Sequence, residues 1–441
     1  MYFDLIEHIE GKNSDYTAIW IFNIGIEKYW NNDTGYIKDV RGDTVVNHAE
    51  EMMLLLANEG DYVVLRKKPS VIFLQEIKKL KHGIANIICP SIVDEDKSIT
   101  EIILEDELLL SKIKNIKKEN KDTVIVPYGI SHNEERLAQL CDIRLIGSDN
   151  NLSKEINNKI MARTISEKLG FETTFGEICS SFEEIKNVGD RFLENNKQFI
   201  IKSPTNASGK GMWVVDNTEQ FEKVLKIVKR FIKKNPQIQW LVEEWIEDKI
   251  DINYQINIAE NGNVKVFSIK EQVLDDVVYV GSYIPARIDK KMIESFKSYG
   301  ETLGFYLFNL GYRGVFGVDA LISGNGITIP ILEINGRFTL STYISFLENV
   351  FKDRSLFSYY INLNADKKND YESLLHALNE NNILFDGEKG TICYVEATAD
   401  SELADGYCRL FLLSIGGNDK ELKYYRQKTE SIVKKLYIEE R

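Results

Sequence analysis

The chain has 441 residues, which is too many for one ordinary domain and suits two or three. Hydrophobic residues make up 43% and charged residues 28%, as is typical of a soluble globular protein. The net charge of -13 disfavours nucleic acid and anionic lipid as partners, because both attract basic surfaces.

The first third alternates short apolar runs with helical segments, an order typical of a small α/β domain with a mainly parallel sheet. We predict this domain over residues 1–147. The predicted strands are 18–22, 62–65, 84–88, 123–127 and 143–146, and the predicted helices include 45–58 and 137–141.

A helix is predicted next over 153–169, with Ser153 as its N-cap and Gly170 after its end. Residues 199–335 are rich in strands, which favours an α+β body with antiparallel sheets. The predicted strands are 199–202, 213–215, 240–243, 253–258, 264–269, 317–322 and 329–334, and the predicted helices are 218–234 and 290–310. A helix at 371–378, a strand at 391–397 and a terminal helix indicate a small C-terminal domain over 351–441.

The five cysteines and five histidines are scattered, and no cysteine pair has CxxC spacing, so reduced thiols without a zinc site are expected. The N-terminal segment is acidic and lacks the apolar core of a signal peptide. No apolar run approaches the ~20 residues that a membrane span needs. We therefore expect a cytoplasmic protein without a membrane partner.

The first chemical motif is an apolar strand that ends in Lys202 and is followed by a loop of small residues. Backbone N–H groups of such a loop can approach a phosphate closely, and the lysine supplies a positive charge. A surface hairpin with an ordinary lysine is the alternative. Pro204 stands where a Walker A loop needs its first glycine, so that motif is excluded. The loop contains Ser208, Gly209, Lys210 and Gly211.

The second motif is a strand that ends in two carboxylates, an aromatic and an aliphatic residue, followed by a polar turn. An adenine needs an apolar slot with a few polar groups at its edge, and a nearby carboxylate can hold ribose hydroxyls. A strand end with solvated acids is the alternative. The residues concerned are Glu243, Glu244, Trp245, Ile246 and Asp251.

The third motif is a hairpin of two apolar strands, each interrupted by an acid. Glu333 and Asn335 are two residues apart and therefore point to one face of the sheet, where Asp319 can pair across from them. Three oxygen ligands on one face suit Mg²⁺, and acids inside buried strands are costly without a cation. A structural salt bridge is the alternative.

In this order and spacing the motifs resemble the ATP-grasp superfamily, over roughly residues 148–345. The resemblance implies an ATP-grasp domain at 148–350, divided into a linker helix and the start of the ATP lid at 148–200, the lid subdomain at 201–250 and a metal-binding body at 251–350. It implies ATP as cofactor, held by Lys159, Lys202, the flap Ser208 to Gly211, the hinge Glu243 to Ile246, Asp251 and Lys270. It implies Asp319, Glu333 and Asn335 as ligands of Mg²⁺, with Mn²⁺ as an alternative.

The N-terminal third is similar to the pre-ATP-grasp domain of a narrower group, through Asn23 to Glu27 and Val126 to Gly129. That group includes the pheganomycin-type peptide ligases and the butirosin glutamate–acyl carrier protein ligase. The implied reaction converts a carboxylate, such as that of an amino acid, into an acyl phosphate and passes it to an amine. Because guanidinium groups bind carboxylate and phosphate in a bidentate way, the candidate catalytic residues are Arg287, Arg313 and Arg337, each with a surface salt bridge as the alternative.

The acceptor stays open at this point. An amino acid or peptide amine would define a peptide ligase of natural-product or antibiotic biosynthesis, whereas a carrier-protein thiol would define an aminoacyl–carrier-protein ligase. A homodimer is compatible with either. An ATP-binding protein without catalysis is a further hypothesis, although no metal ligand is missing from the sequence. A dinucleotide-dependent oxidoreductase is disfavoured, because the first strand is followed by Asn-Ile-Gly-Ile-Glu and not by GxGxxG.

Overall fold

The computed structural model describes residues 16–30, 39–81, 83–120, 122–205 and 210–438. These residues form three sheets: a five-stranded parallel sheet, a four-stranded antiparallel sheet and an eight-stranded antiparallel sheet. The mixed α/β and α+β architecture predicted from the sequence is therefore confirmed. None of the helices in these ranges is long and apolar enough to cross a membrane.

The N-terminal sheet has the strand order β3-β2-β1-β4-β5, and every pair is parallel. Its central strands are buried on both faces, as expected where helices cover a parallel sheet. The strands are β1 (Thr17–Ile21), β2 (Tyr62–Val64), β3 (Asn86–Ile88), β4 (Thr123–Pro127) and β5 (Arg144–Leu145). The helices are Glu27–Trp30, Val40–Asn47, Met53–Leu56, Val71–Ile77, Ile99–Glu105, Glu107–Glu119 and His132–Cys141.

The helix predicted over 45–58 is interrupted, and that prediction was wrong in its extent. An α-helix ends at Asn47, a 3-10 helix follows over Ala49–Met52, and a short α-helix completes the segment. The interruption places the buried carboxylates of Glu50 and Glu51 so that both accept backbone hydrogen bonds from distant segments, from Arg66 and from Glu396. Tertiary hydrogen bonds have overridden the helical period here.

The helix predicted over 153–169 is two helices, Asn150–Ile156 and Lys159–Lys168. Asp149, and not Ser153, caps the first helix by accepting from the backbone N–H groups of Asn151 and Leu152. Asn158 caps the second by accepting from Ile160 N–H. The break places Lys159 in the first turn of a new helix. The residue predicted to follow its end, Gly170, has a positive φ of 69°.

The four-stranded sheet has the order β6-β9-β7-β8. Its core includes apolar residues of the two helices Phe182–Glu194 and Thr218–Lys234, where Phe199 stacks on Phe192 at 5.3 Å and meets Phe221 edge-on at 5.2 Å. The strands are β6 (Gly176–Cys179), β7 (Phe199–Lys202), β8 (Met212–Val215) and β9 (Trp240–Glu244).

The eight-stranded sheet has the order β14-β13-β10-β11-β12-β15-β17-β16. It is continuous from the segment predicted as the metal-binding body into the segment 351–441, so the predicted division at residue 350 runs through one sheet and remains a proposal. The strands are β10 (Lys249–Ile258), β11 (Val264–Asp275), β12 (Val278–Ile284), β13 (Gly314–Ser323), β14 (Thr328–Asn335), β15 (Ser355–Asn364), β16 (Gly390–Cys393) and β17 (Tyr407–Gly416). Its helices are Lys290–Asn309, Leu347–Val350, Tyr371–Glu380 and Asp419–Tyr437.

Strand β10 shows why this sheet has one apolar and one polar face. Ile252, Tyr254, Ile256 and Ile258 alternate with polar residues and belong to a core that includes Phe296 of the helix Lys290–Asn309. The residues between them, Asn253, Gln255 and Asn257, are equally buried on the other face. Buried amides need hydrogen-bond partners, so that face must carry further polar groups.

Candidate functional site

A row of polar side chains crosses four neighbouring strands of the large sheet. Asn253 on β10 is paired with Lys270 on β11 and with Asp319 on β13, and Asp319 is paired with Glu333 on β14. Directly paired residues lie on the same face of a sheet. The two carboxylates predicted from the third motif and Lys270, which the family resemblance implied, are therefore in one row, and Asn335 lies two residues further along that face.

Three side-chain amides hold the carboxylate of Asp319. Asn253 and Gln272 donate to Oδ1 at 2.8 and 3.0 Å, and Asn335 donates to Oδ2 at 3.1 Å. Burial, followed by repulsion from Glu333, raises the pKa of Asp319 to about 6, although the three hydrogen bonds act in the opposite direction. The site is thus short of positive charge at this carboxylate.

Glu333 is held from the other side by a buried lysine. Lys159 Nζ lies 2.9 Å from Glu333 Oε1, and the lysine side chain is only 3% exposed. The backbone N–H of Lys159 donates to Pro204 O at 2.8 Å, which ties the start of this helix to the loop after β7. The first predicted ATP-binding lysine therefore stands between the two antiparallel sheets.

The predicted Mg²⁺ ligands fit a hard cation in their chemistry. Asp319 and Glu333 supply carboxylate oxygens on one face, and Asn335 can supply an amide oxygen, since its two amide positions are assigned from the hydrogen-bond network. Within the described ranges no group of three or more His, Cys, Asp and Glu side chains could hold a metal ion. The predicted set accordingly depends on the amide as its third ligand.

A second charged cluster lies at the ends of β7 and β9. Lys202 Nζ is paired with Glu243 Oε1, while Glu243 Oε2 accepts from the hydroxyl of Thr174 and lies 3.4 Å from Arg163 Nη1. Lys202 and Glu243 are both buried. Lys202 can reach Glu243 because β7 and β9 are antiparallel neighbours. Lys202 is directly opposite Leu241, and Glu243 lies two residues further along β9 on the same face.

The predicted adenine hinge links the two antiparallel sheets. Glu244 is paired with Lys197 at 2.8 Å, and Trp245 carries Lys249 Nζ 3.9 Å above the centre of its ring. Ile246 follows Trp245 in the connection to β10.

Asp251 lies just after this hinge, 3.3 Å from Lys249. Burial raises the pKa of Asp251 and lowers that of Lys249, and Lys202 affects both because it is close to them. The hinge residues and Lys202 therefore form one charged neighbourhood.

The predicted flap is described only at its end. Ser208 and Gly209 lie outside the described residues. Lys210 Nζ is 3.0 Å from Asp43 Oδ1, on the helix Val40–Asn47 of the N-terminal sheet. Gly211 has a φ of 75°, which favours glycine, and its carbonyl accepts from Ser203 N–H at 2.8 Å.

Lys270 is fully buried and donates to Ser345 Oγ at 2.8 Å. Burial lowers its pKa to about 7. Its place in the row with Asn253 and Asp319 puts it on the predicted face. Its hydrogen bond, however, is directed to the segment after β14.

The three arginine candidates are dispersed. Arg337 is buried, pairs with Glu27 at 2.7 Å and donates to Tyr128 Oη at 2.8 Å, so it joins the N-terminal sheet to the end of β14. Arg313 donates to the carbonyls of Phe308 and Tyr312, at the end of a helix.

Arg287 lies on the other side of the sheet from Asp319. It forms a two-point pair with Glu271, which is opposite Ile252 on the apolar face. Arg337 is the candidate nearest to the row of carboxylates, and Glu333 contributes to raising its pKa.

Several residues of the site were missed by the sequence interpretation: Arg163, Thr174, Lys249, Asn253 and Gln272. The polar alternation of β10, from Asp251 through Asn253 and Gln255, was a usable signal for Asn253, which donates to Asp319. Arg163 and Thr174 carried no such signal, because they reach Glu243 from a helix and a loop far away in the sequence.

Comparison with known families identifies both parts of this architecture. A model of the Pre ATP-grasp domain matches residues 49–143, and a model of the ATP-grasp domain matches residues 164–338, the range that holds Lys202, Glu243, Asp319 and Glu333. The chain therefore carries a pre-ATP-grasp domain followed by an ATP-grasp domain.

Curated relatives agree with this placement. The [butirosin acyl-carrier protein]–L-glutamate ligase of Niallia circulans is 27% identical over 337 residues, which are 74% of this chain and 73% of that protein. A formate-dependent phosphoribosylglycinamide formyltransferase of Corynebacterium efficiens is 26% identical over 200 residues, which are 42% of this chain and 47% of that enzyme. The second likeness is thus confined to less than half of either protein.

Solved structures share the fold at low identity. N5-carboxyaminoimidazole synthetase from Staphylococcus aureus, complexed with ADP, has a TM-score of 0.55 at 13% identity and covers 94% of this chain and 97% of that chain. The biotin carboxylase domain of the Hydrogenobacter thermophilus 2-oxoglutarate carboxylase, complexed with MgADP and bicarbonate, has a TM-score of 0.56 at 13% identity over 94% of this chain and 90% of that chain. At this identity the likeness bears on the fold alone.

Proposed function

We propose that the protein is an ADP-forming ligase that activates the carboxylate of an amino acid as an acyl phosphate and transfers the acyl group to an amine. The observation that carries the proposal is the row of Asp319 and Glu333 in direct register, with Lys159 at 2.9 Å from Glu333. Two acids and a buried lysine at one point suit a magnesium–triphosphate group better than a structural salt bridge, which would not leave Asp319 without a cation.

In this proposal the nucleotide lies between the two antiparallel sheets. Lys159 and Lys202 face the phosphates, the segment Ser208 to Gly211 covers them, and Glu243 to Ile246 with Asp251 surround the adenosine. Lys159 is paired with Glu333 and Lys202 with Glu243, which keeps two buried cations satisfied before ATP binds. Lys249 on the ring of Trp245 is a further candidate for the phosphate or ribose end.

The residues that would hold Mg²⁺, or Mn²⁺, are Asp319, Glu333 and Asn335. Bound there, the ion would offset negative charge that develops on the phosphoryl oxygens. The protein's own contribution is to keep Asp319 ionised and oriented, which the amide groups of Asn253, Gln272 and Asn335 do through three hydrogen bonds.

The reaction proceeds in two steps. A substrate carboxylate oxygen attacks the γ-phosphorus of ATP, the bond to the β-phosphate oxygen breaks, and ADP leaves. The amine then attacks the acyl carbon, loses a proton, and inorganic phosphate departs with the former carboxylate oxygen. Positioning and charge dominate such a reaction, and Arg337 is the arginine best placed to orient the acid, because it lies two residues after Asn335 and its pKa is raised in part by Glu333.

A second candidate function differs only in the acceptor. By its name, the relative from Niallia circulans is a ligase that acts on an acyl-carrier protein and L-glutamate. It matches about three quarters of this chain. This similarity favours a carrier-protein thiol as the acceptor and glutamate as the acid. The thiol replaces the amine in the second step and the first step is unchanged.

The test is a screen for ADP release from ATP and Mg²⁺. Each amino acid is supplied alone, with a second amino acid, and with a phosphopantetheinylated carrier protein. ADP that forms only with one acid and one acceptor supports the proposal and identifies both substrates. ATP binding without ADP release in any combination would support a non-catalytic nucleotide-binding protein, and release of AMP would contradict the acyl-phosphate chemistry.

A further inference from the structure

The face of the large sheet that carries Asp319 continues through three further strands. Gln272, which donates to Asp319, is directly opposite Ser282 on β12, and Ser282 is directly opposite Ser358 on β15. Tyr360 lies two residues beyond Ser358 and therefore on the same face. A single face thus connects the paired acids with the last strands of the chain.

This face is lined with hydroxyl groups. Tyr279 Oη lies 3.0 Å from Ser282 Oγ, Tyr394 Oη lies 3.1 Å from Ser358 Oγ, and Tyr360 Oη donates to the carbonyl of Tyr279. Ser282, Ser358 and Tyr394 are buried, whereas Gln272, Tyr279 and Tyr360 are partly exposed. The strip from Gln272 to Tyr360 therefore offers polar groups to a molecule lying along the sheet.

An arginine closes the far end of the strip. Arg409 on β17 lies with its guanidinium 4.4 Å from the ring centre of Tyr360 and 5.9 Å from that of Phe411. Its Nε donates to Asn362 Oδ1 at 2.7 Å. The residue is partly exposed, and the remaining N–H groups form the fork that binds carboxylate or phosphate.

The absence of a paired carboxylate within the described ranges distinguishes Arg409 from Arg163, Arg287 and Arg337. Arg163, Arg287 and Arg337 are each paired with a glutamate. Among the residues that the structure describes, no carboxylate is paired with Arg409, although the chain is strongly acidic. Its aromatic platform and Asn362 fix the guanidinium without neutralising it, as in a site built for an anion.

The distance from Asp319 decides which substrate carries that anion. Strand β17 is five strands away from β13, and a strand spacing of about 4.8 Å gives about 24 Å across a flat sheet. The register in line with Asp319 reaches Ile415 on β17, so Arg409 lies six residues farther along that strand, which adds about 20 Å and gives about 31 Å in all. One extended residue spans only about 3.5 Å, so an amino acid activated beside Asp319 and Glu333 cannot reach Arg409. The anion must belong to a long acceptor.

We propose that Arg409 binds the carboxylate at the far end of an extended acceptor, whose amine reaches the acids at Asp319 and Glu333 along the strip of Gln272, Tyr279 and Tyr360. This inference rests on the proposed ligase function and adds the class of acceptor to it. A peptide with a free C-terminal carboxylate is such an acceptor, and a phosphopantetheine arm is the alternative source of an anion.

Matched acceptor pairs test the proposal. The thiol pair is phosphopantetheine and pantetheine, and the amine pair is an extended peptide and its C-terminal amide. The variants are R409Q, R409K and the control R230Q, whose arginine is exposed on the helix Thr218–Lys234. We expect R409Q to raise the KM of the peptide about 10- to 100-fold, with the KM of its C-terminal amide, of ATP and of the acid unchanged. R409K should restore part of the effect, and R230Q should have none.

Calorimetric titration of the same four acceptors without ATP separates this inference from the proposed function. Stronger binding of the peptide than of its C-terminal amide, lost in R409Q, supports the site even if no ADP is released. A loss for the peptide and not for its amide supports the C-terminal carboxylate as the anion, whereas a loss for phosphopantetheine alone would contradict it. An equal effect of R409Q on both members of each pair, no effect on either, or no binding of any of the four acceptors to the wild-type protein would overturn the proposal.

Discussion

Removal of the buried lysine beside the paired acids tests the electrostatic account of the site. In Lys159→Met, Glu333 loses the cation at 2.9 Å and stays beside Asp319 in a row that is largely shielded from water. The double variant, Lys159→Met with Glu333→Gln, also removes the negative charge of residue 333 that has lost its cation. We therefore expect the single variant to be destabilised and the double variant to recover much of that loss.

The size of the effect follows from the geometry. With an effective dielectric constant of about 20, two unit charges at 2.9 Å attract by about 6 kcal/mol. Desolvation of both groups opposes most of this attraction, and the Glu333 side chain is still 22% exposed, so water replaces part of the lost interaction. We expect a coupling free energy of about 2–3 kcal/mol between the two positions.

A double-mutant cycle measures this coupling by urea denaturation of the wild type, both single variants and the double variant. Lys168→Met, at the exposed end of the same helix, is the matched control and should change the free energy of unfolding by less than about 0.5 kcal/mol. The double variant should be stable and inactive, since it still lacks the lysine proposed to face the phosphates. A coupling free energy near zero would refute the account of this pair.

Three further predictions concern the neighbouring groups. The pKa of Asp319 is raised to about 6, and Mg²⁺ competes with the proton for this carboxylate. Mg²⁺-dependent ATP binding, measured by calorimetry, should therefore weaken up to tenfold per pH unit below about pH 6. ATP binding that does not change between about pH 5 and 8 would contradict this. Lys202→Met should weaken ATP binding at least tenfold in the same assay, whereas Lys197→Met, at the exposed partner of Glu244, should leave it unchanged. The pKa of Lys270 is lowered to about 7, against about 10.4 in an unfolded chain, so folding releases a proton between these values and stability rises with pH. Lys270→Met should remove up to about 1.4 kcal/mol per pH unit of this rise between pH 7 and 9 in urea denaturation, and an unchanged slope would refute the assignment.

The strands that carry the site were predictable because their patterns of apolar and charged residues indicate which positions are buried. Phe199–Lys202 is apolar up to its final lysine, and β13 and β14 each contain a single acid among mainly apolar residues. These local patterns placed Lys202, Asp319 and Glu333 at the correct strand positions. The direct pairing of Asp319 with Glu333 was not predictable, because it depends on a β-bulge just after Asp319; the register next to the turn would place Asp319 opposite Ile331.

The partners of these residues could not be predicted, because they come from distant segments. Lys159 reaches Glu333 across 174 positions of sequence, and Arg337 reaches Tyr128 across 209. Neither hydrophobic periodicity nor secondary-structure propensity indicates such long-range contacts. The break at Asn158 could have been found, since consecutive asparagines before a helical pattern are a signal for an N-cap.

The strands β12, β15 and β17 were not predicted, and with them the continuity of the large sheet was missed. In β12 the alternation is interrupted by Gly281, where a Cβ atom would lie 2.5 Å from the carbonyl oxygen of Ser358 on β15. The glycine is needed for the close approach of the two strands, yet in the sequence it weakens the strand pattern. The far end of the proposed acceptor strip therefore became visible only in the structure.

The central claim is that a carboxylate oxygen attacks the γ-phosphorus of ATP, and oxygen transfer tests it most directly. The acid identified by the ADP screen is labelled with ¹⁸O in its carboxylate and turned over with ATP and the acceptor, and the products are analysed by ³¹P NMR. The account predicts ADP without label and inorganic phosphate that carries one ¹⁸O atom from the acid. Label in AMP, or phosphate without label, would contradict it.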